Sequence, residues 1–191
     1  SVISWVLPTS GDTCKSNRRE KEFPSKLWAY TSKYGEACND ALRKHVIHFL
    51  EDLGYPTVAP AILPTFQFIQ DEKVGWASPW SERHVAYACG LGAFGLSDGL
   101  ITAKGKAMRV GSVVTDLLLR PSKKIYPHYQ ANCLYYFNKT CKACAARCPV
   151  GAITEKGHDK DKCFEYTYSV VGKTKNAEYG VTISGCGLCQ T

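Results

Sequence analysis

The chain has 191 residues, enough for one ordinary domain or for one domain with a small module attached. Hydrophobic residues at 45% and charged residues at 21% exclude a disordered chain and permit a packed core. A formal charge of +7 suits a docking face for an acidic electron donor or, more weakly, a nucleic acid, and no apolar run reaches the roughly 20 residues of a membrane-spanning helix.

Val2–Leu7 is apolar and β-branched and closes at Pro8, which predicts a buried strand. A core strand at the first residue implies that natural chain precedes it. Residues 9–24 are polar and read as a loop, with Cys14 as an isolated thiol. From Ser25 to Leu53 the pattern is helical. Leu27, Tyr30, Tyr34, Cys38, Ala41, Leu42, His45, Val46, Phe49, Leu50 and Leu53 recur at spacings of three and four, and Gly54 is placed to cap the end. Cys38 is expected in the core. His45 and His48 have no matching carboxylate pattern and read as ordinary imidazoles.

Thr57–Ile62 reads as a strand between prolines, and residues 63–79 as a loop. Ser81 is placed to cap a helix running to Ala88, with Glu82 in its first turn. Gly90-x-Gly92-x-x-Gly95 matches the dinucleotide fingerprint in letters only, because that fingerprint needs a strand before it and a helix after it. The glycines mean either tight turns or close backbone approach to something. Gly99–Thr102 and Met108–Leu119 read as two strands joined around Lys104-Gly105-Lys106, with Asp116 as a hydrogen-bonded carboxylate at a strand end. Residues 121–132 form a linker, and no internal repeat is visible before the cysteine-rich end.

Ten cysteines in a secreted chain would suggest disulfides. Here they crowd into the last third, and Ser1–Pro8 has no basic leader or cleavage site. Metal binding in a reducing cytoplasm is therefore expected. Cys141-Lys-Ala-Cys144-Ala-Ala-Arg-Cys148-Pro149 is C-x2-C-x3-C-P, the last three ligands of a bacterial ferredoxin iron–sulfur signature. Soft thiolates suit such clusters. The first ligand position holds Asn138, so Cys133 is assigned instead, with Leu134–Thr140 as an insertion. Cys163, Cys186 and Cys189 supply a second set, and the cysteine before proline, Cys148, crosses over to it. Two 4Fe–4S clusters need about eight thiolates and seven are placed, so a continuation past Thr191, or Cys14, Cys38 or Cys89, would supply the last. Zinc sites also use paired cysteines, but a third cysteine at x3 followed by proline is foreign to them.

The stretch Ser81–Gly95, then Leu100-Ile-Thr102, then Gly111–Leu117, then the C-P motif resembles the epoxyqueuosine reductases and their relatives the reductive dehalogenases, over about residues 76–191. The resemblance implies an α+β fold: a nitroreductase-like cobalamin domain in residues 1–130, then a bacterial-ferredoxin-like two-cluster module in residues 131–191. Gly90, Gly92, Gly95, Ile101, Thr102, Thr115 and Asp116 would line a base-off corrinoid (cobalamin). Cys133, Cys141, Cys144, Cys148, Cys163, Cys186 and Cys189 would hold the clusters. The family's acidic proton donor has no Asp counterpart in Gly75–Arg83, which leaves the substrate unassigned; Asp98, Glu82, Tyr126 and His128 are acids near the motifs. The expected function is a cytoplasmic iron–sulfur oxidoreductase. It would take electrons from an external low-potential donor and pass them through a corrinoid to a small molecule or a modified nucleoside, with tRNA as a weaker partner. The alternative is a non-catalytic ferredoxin-like electron-transfer protein that reduces a partner and binds no cobalamin.

Overall fold

The β-branched run at the start forms strand β1 (Val2–Pro8) in the computed structural model, which describes residues 1–191. Residues 9–24, expected as a loop, contain a helix instead, α1 (Gly11–Arg19). Ser10 caps it by accepting from the Thr13 amide at 3.2 Å, Asp12 lies in its first turn, and Arg18 and Arg19 lie in its last. These caps and charges oppose the helix dipole and offset the lack of an apolar stripe. The long helix α2 (Lys26–Asp52) follows as expected, with Ser25 accepting from the Trp28 amide at 3.2 Å.

The face that α2 buries overlaps the apolar stripe read from its periodicity only toward its end, at Leu50 and the half-buried Val46. Trp28, Ala29, Ser32, Asn39, Arg43 and Leu50 are buried, while Leu27, Tyr34, Phe49, Leu53 and Cys38 are exposed. Cys38 is therefore a surface thiol. His45 and His48 are also exposed.

The expected strand at Thr57–Ile62 shrinks to β2 (Thr57–Val58), because Pro60 opens a 3-10 turn through Ile62. The expected loop at 63–79 holds a hairpin, β3 (Ile69–Asp71) and β4 (Gly75–Ala77). Its turn is built by the Asp71 carboxylate, which accepts from the Lys73 and Val74 amides at 2.8 and 3.0 Å. Helix α3 (Glu82–Ala88) is where the sequence placed it. Strands β5 (Gly92–Phe94) and β6 (Leu100–Thr102) then pair antiparallel. Strand β7 (Met108–Thr115) stops short of Leu119 and pairs with β1 on one side and β2 on the other, making a three-stranded sheet of order β1-β7-β2. Asp116, just past its end, is exposed, and its carboxylate accepts no hydrogen bond from the protein.

The cysteine-rich end is made of short pieces: α4 (Leu134–Asn138), α5 (Ala143–Ala146), and a hairpin of β8 (Ile153–Thr154) and β9 (Gly157–His158). Then α6 (Lys160–Phe164) passes through a π-helical turn, Glu165–Val170, into α7 (Val171–Tyr179). Mixed helices and antiparallel strands give an α+β content, and no helix is long and apolar enough to cross a membrane.

Three small apolar groups form the core. Leu50, Ala59 and Val113 join α2 to the sheet, and Ala86, Phe94, Leu100 and Val110 join α3 to the β5–β6 pair. Leu96, Cys133, Tyr135 and Ile153 form the third, at the cysteine-rich end. Between the first two lies a polar network. Asn39 accepts from Trp5 Nε1 at 2.9 Å and donates to the Val110 carbonyl at 3.0 Å. Arg43, only 2% exposed, donates to Glu36, Asp40, Glu82 and the same carbonyl. Burial disfavours charge on Arg43, but these acceptors outweigh it and raise its pKa. Glu82 also accepts from Ser112, yet burial still pushes its pKa up. Replacing Arg43 by Met would leave Glu82 buried without a counter-charge. A loss of about 3–5 kcal/mol is expected, read from urea unfolding, with partial recovery in the Arg43→Met/Glu82→Gln double variant.

Candidate iron–sulfur site

The cysteine cluster is assembled from segments far apart in sequence. Cys133 is buried and caps α4, which is the insertion inferred before Cys141 and which ends at Lys139 in a left-handed conformation. Cys144 lies in α5, and Cys148 follows it by one turn. Cys144, Cys148 and Cys189 pack against the apolar group that contains Cys133. Cys163 lies in α6, which Asp159 caps by accepting from the Lys162 amide at 2.9 Å. Cys186 interacts electrostatically with Cys189, Cys163 and Cys148, and Cys189 with Cys163, Cys144 and Cys148. Cys148, Cys163 and Cys189 thus stand near enough to Cys186 for its thiol to feel their charge. Cys133 and Cys144 lie in the adjoining apolar group, and Cys141 is half-buried.

The donor set fits an iron–sulfur cluster in kind. No three His, Cys, Asp or Glu side chains converge tightly enough to grip a single metal ion. A cubane asks for something different, since its four thiolates stand apart around a body of iron and sulfide. The surroundings also favour thiolate. Cys148 Sγ accepts from the Ala152 amide at 3.2 Å, and Cys186 is hydrogen-bonded by the backbone at Leu188. Without metal, burial pushes the Cys186 thiol up to about 12 and raises Cys189 as well. Soft metal ions would replace those protons. Ser97, one residue from Leu96 of the same apolar group, keeps a buried hydroxyl with no partner.

One histidine binds this region to the rest of the chain. His158, on β9, stands 3.3 Å from Asp98 Oδ2 through Nδ1 and lies close enough to Cys163 for each to shift the other's pKa. Burial opposes charge on this imidazole, but Asp98 and Cys163 outweigh it and raise its pKa to about 9. For Cys163, burial alone would raise the thiol pKa; the closeness and charge of His158 turn the shift downward. Asp98 has a left-handed backbone (φ 53°), and its carbonyl accepts from Arg83 at 2.9 Å. Sequence reading named Asp98 as an acid near the motifs but missed His158. The only available signal was its position five residues before Cys163.

The segment before α2 is fastened to the same region. Arg147, between Cys144 and Cys148, donates to the carbonyls of Leu188, Arg18, Asn17 and Glu20 at 2.7, 3.1, 3.1 and 3.3 Å. Lys106 donates to the Cys189 carbonyl at 3.0 Å. Trp28 lies flat against Gly187, between Cys186 and Cys189, where an added Cβ would stand 1.9 Å from the indole.

The residues expected to line a corrin do not share one surface. Gly92 and Gly95 sit against Ile101 of the paired strand, and a Cβ on Gly92 would stand 2.7 Å from the Ile101 carbonyl oxygen. The chain itself therefore fills the space that those glycines leave. Gly90 has a positive φ of 81° and abuts Lys123 and Lys124. Its neighbours Cys89 and Leu91 line a cavity of about 340 Å³ with Ser1–Ser4 and Leu119–Ser122. Thr115 and Asp116 lie instead on a separate cavity of about 290 Å³ with Glu51 and Pro56–Val58. One volume falls just inside and the other just below the ~300–1,000 Å³ typical for drug-sized ligands, and a corrinoid is larger than those. Neither cavity gathers these residues around a corrin-sized space. Of the other acids, Glu82 is engaged by Arg43 and Ser112, His128 accepts from the Gln130 amide at 3.3 Å, and Tyr126 is half-buried in the linker.

No protein-family profile matches this chain, and no curated protein matches it. Among solved structures, the epoxyqueuosine reductase of Streptococcus thermophilus aligns with a TM-score of 0.47 and 20% identity, over 83% of this chain and 38% of that one. The chain thus spans less than half the length of that protein.

Gly187→Ala would meet both Trp28 and a positive φ of 64°. It is expected to cost more than about 1 kcal/mol in thermal unfolding, whereas Gly172→Ala, in open helical surroundings, is expected to be neutral or stabilising. The His158 contacts also predict a pH profile. A histidine near 9 when folded and about 6.5 when unfolded stabilises fully below the lower value and loses that contribution as pH rises through the higher one. The metal-free protein should therefore lose thermal stability between about pH 6.5 and 9, and Asp98→Asn should flatten the profile.

Proposed function

We propose that this chain is an iron–sulfur electron-transfer protein, with residues 131–191 as the cluster module and residues 1–130 as its scaffold. Cys148, Cys163, Cys186 and Cys189 hold one 4Fe–4S cluster. Cys133, Cys141 and Cys144, with one further ligand, hold the other. The observation that supports this reading is the mutual charge influence of Cys148, Cys186 and Cys189, with Cys163 also felt by the last two, and backbone donors directed at the sulfurs of Cys148 and Cys186.

When bound, the clusters supply one-electron transfer at a potential tuned by hydrogen bonding and burial. The chain's own residues set those conditions. The Ala152 amide, the Leu188 backbone and His158 stabilise negative charge on sulfur. Leu96, Tyr135 and Ile153 keep water from one side. A reducing compartment such as the cytoplasm suits the free thiols. Electrons leave to an acceptor outside this chain, a partner protein or a bound reducible molecule. Corrinoid reduction within the chain, implied by the resemblance, is left out because the residues expected for it are dispersed.

Anaerobically loaded protein is expected to hold about eight iron and eight sulfide with both clusters filled, or about four of each with only the Cys148 set filled. Cys163→Ser should remove the signals of that set and leave any others. Stoichiometric zinc with little iron would overturn the proposal. A saturable base-off shift of added cobalamin would return the corrinoid to the mechanism.

A further inference from the structure

We propose that the exposed basic edge at the end of α1, formed by Arg18, Arg19 and Lys21 with Lys15 behind them, is the docking face for an acidic protein that delivers electrons to the clusters; this rests on the iron–sulfur reading above. All four side chains are exposed. Arg18, Arg19 and Lys21 form no salt bridge, and Lys15 has only a loose surface contact with Asp12 at 3.6 Å. Glu20 and Glu22 interrupt the run but leave an excess of positive charge.

The position of this edge decides what it is for. The carbonyls of Asn17, Arg18 and Glu20 are bonded to Arg147, which lies in sequence between two proposed cluster ligands. The same guanidinium holds the Leu188 carbonyl, next to Cys189. A second tie runs from the Tyr166 hydroxyl to the Glu22 carbonyl. The cations thus stand one side chain away from the cysteine region, on a segment that cannot drift from it. The last carbonyls of α1 would ordinarily attract the helix's own basic side chains. Arg147 occupies them, so Arg18 and Arg19 face solvent.

Charge of this sign raises the encounter rate of an oppositely charged protein and orients it, and here the orientation brings a donor's redox centre toward the cysteines. Nucleic acid is the poorer fit. Single-stranded RNA recognition relies on aromatic platforms beside the cations. The one aromatic in this run, Phe23, is half-buried beneath Lys175.

The test uses the cluster-loaded full chain and a reduced plant-type 2Fe–2S ferredoxin, a strongly acidic protein, with cluster reduction followed by anaerobic stopped flow. The wild-type rate should fall steeply with added salt. The Arg18→Glu/Arg19→Glu/Lys21→Glu variant should be slower by about tenfold or more at low salt and insensitive to it. Reduction by the small cation methyl viologen should not be slowed, which shows that the variant still folds and holds its clusters. A control with the same change in net charge, Lys44→Glu/Lys73→Glu/Lys123→Glu, should keep the wild-type rate. Equal slowing in that control, or an unchanged rate in the first variant, overturns the docking face while the iron–sulfur reading stands. Loss of salt-sensitive tRNA binding in the first variant with no loss of electron transfer overturns it in favour of an RNA surface. Failure of the wild type to load any cluster overturns both.

Discussion

A guanidinium shut away from water calls for acceptors, and Arg43 gathers them at its two terminal nitrogens, though not at Nε, by drawing α2, α3 and β7 to one point. The consequences run outward. Glu82 is fixed at the first turn of α3, so the next residue, Arg83, reaches the Asp98 carbonyl in the turn between β5 and β6. Asp98 contacts His158, whose charge acts on Cys163. A continuous series of polar interactions therefore leads from the buried charge to a proposed cluster ligand. The apolar groups on either side are small, and without this network they would share little common structure.

The second guanidinium, Arg147, works differently. Its partners are all carbonyls, so its positive charge is solvated by dipoles and not neutralised by a carboxylate. A charge kept in that way still acts on its surroundings. Beside thiolate-bound clusters it would favour the reduced, more negative state. It also joins the amino-terminal helix to the cysteine-rich end by bonds that side-chain substitutions at Arg18 or Glu20 would not break, since only their backbone is used.

Much of the scaffold was legible in the sequence. Ser25 and Gly54 bracket α2, Ser81 marks the start of α3, and the β-branched runs at Val2 and Met108 are the paired strands. The cysteine spacing isolated the ligand candidates and the insertion before Cys141. What was missed has physical reasons. Helix α1 rests on caps and terminal charges, which leave no apolar period to read. The β3–β4 turn depends on one aspartate side chain that accepts two amides. The middle of the buried face of α2, at Asn39 and Arg43, is polar because its partners, Trp5, Glu82 and the Val110 carbonyl, come from distant sequence. A hydropathy count cannot see those pairings. The dispersal of the glycines, Thr115 and Asp116 over separate surfaces likewise follows from strand pairing, which local sequence does not specify.

The π-helical turn at Glu165–Val170 has a consequence for how the molecule is wired. A π turn is an α-helix with one residue too many, and the surplus residue changes the angular phase of everything beyond it by about 100°. Upstream of it, Cys163 faces the cysteines. Within and beyond it, Tyr166 and Tyr179 reach back to the carbonyls of Glu22 and Pro24. A regular helix of the same composition could satisfy the first requirement or the second, but its phase would not serve both. The extra residue is thus a mechanical joint that lets a single rod present a ligand on one side and an anchor on the other.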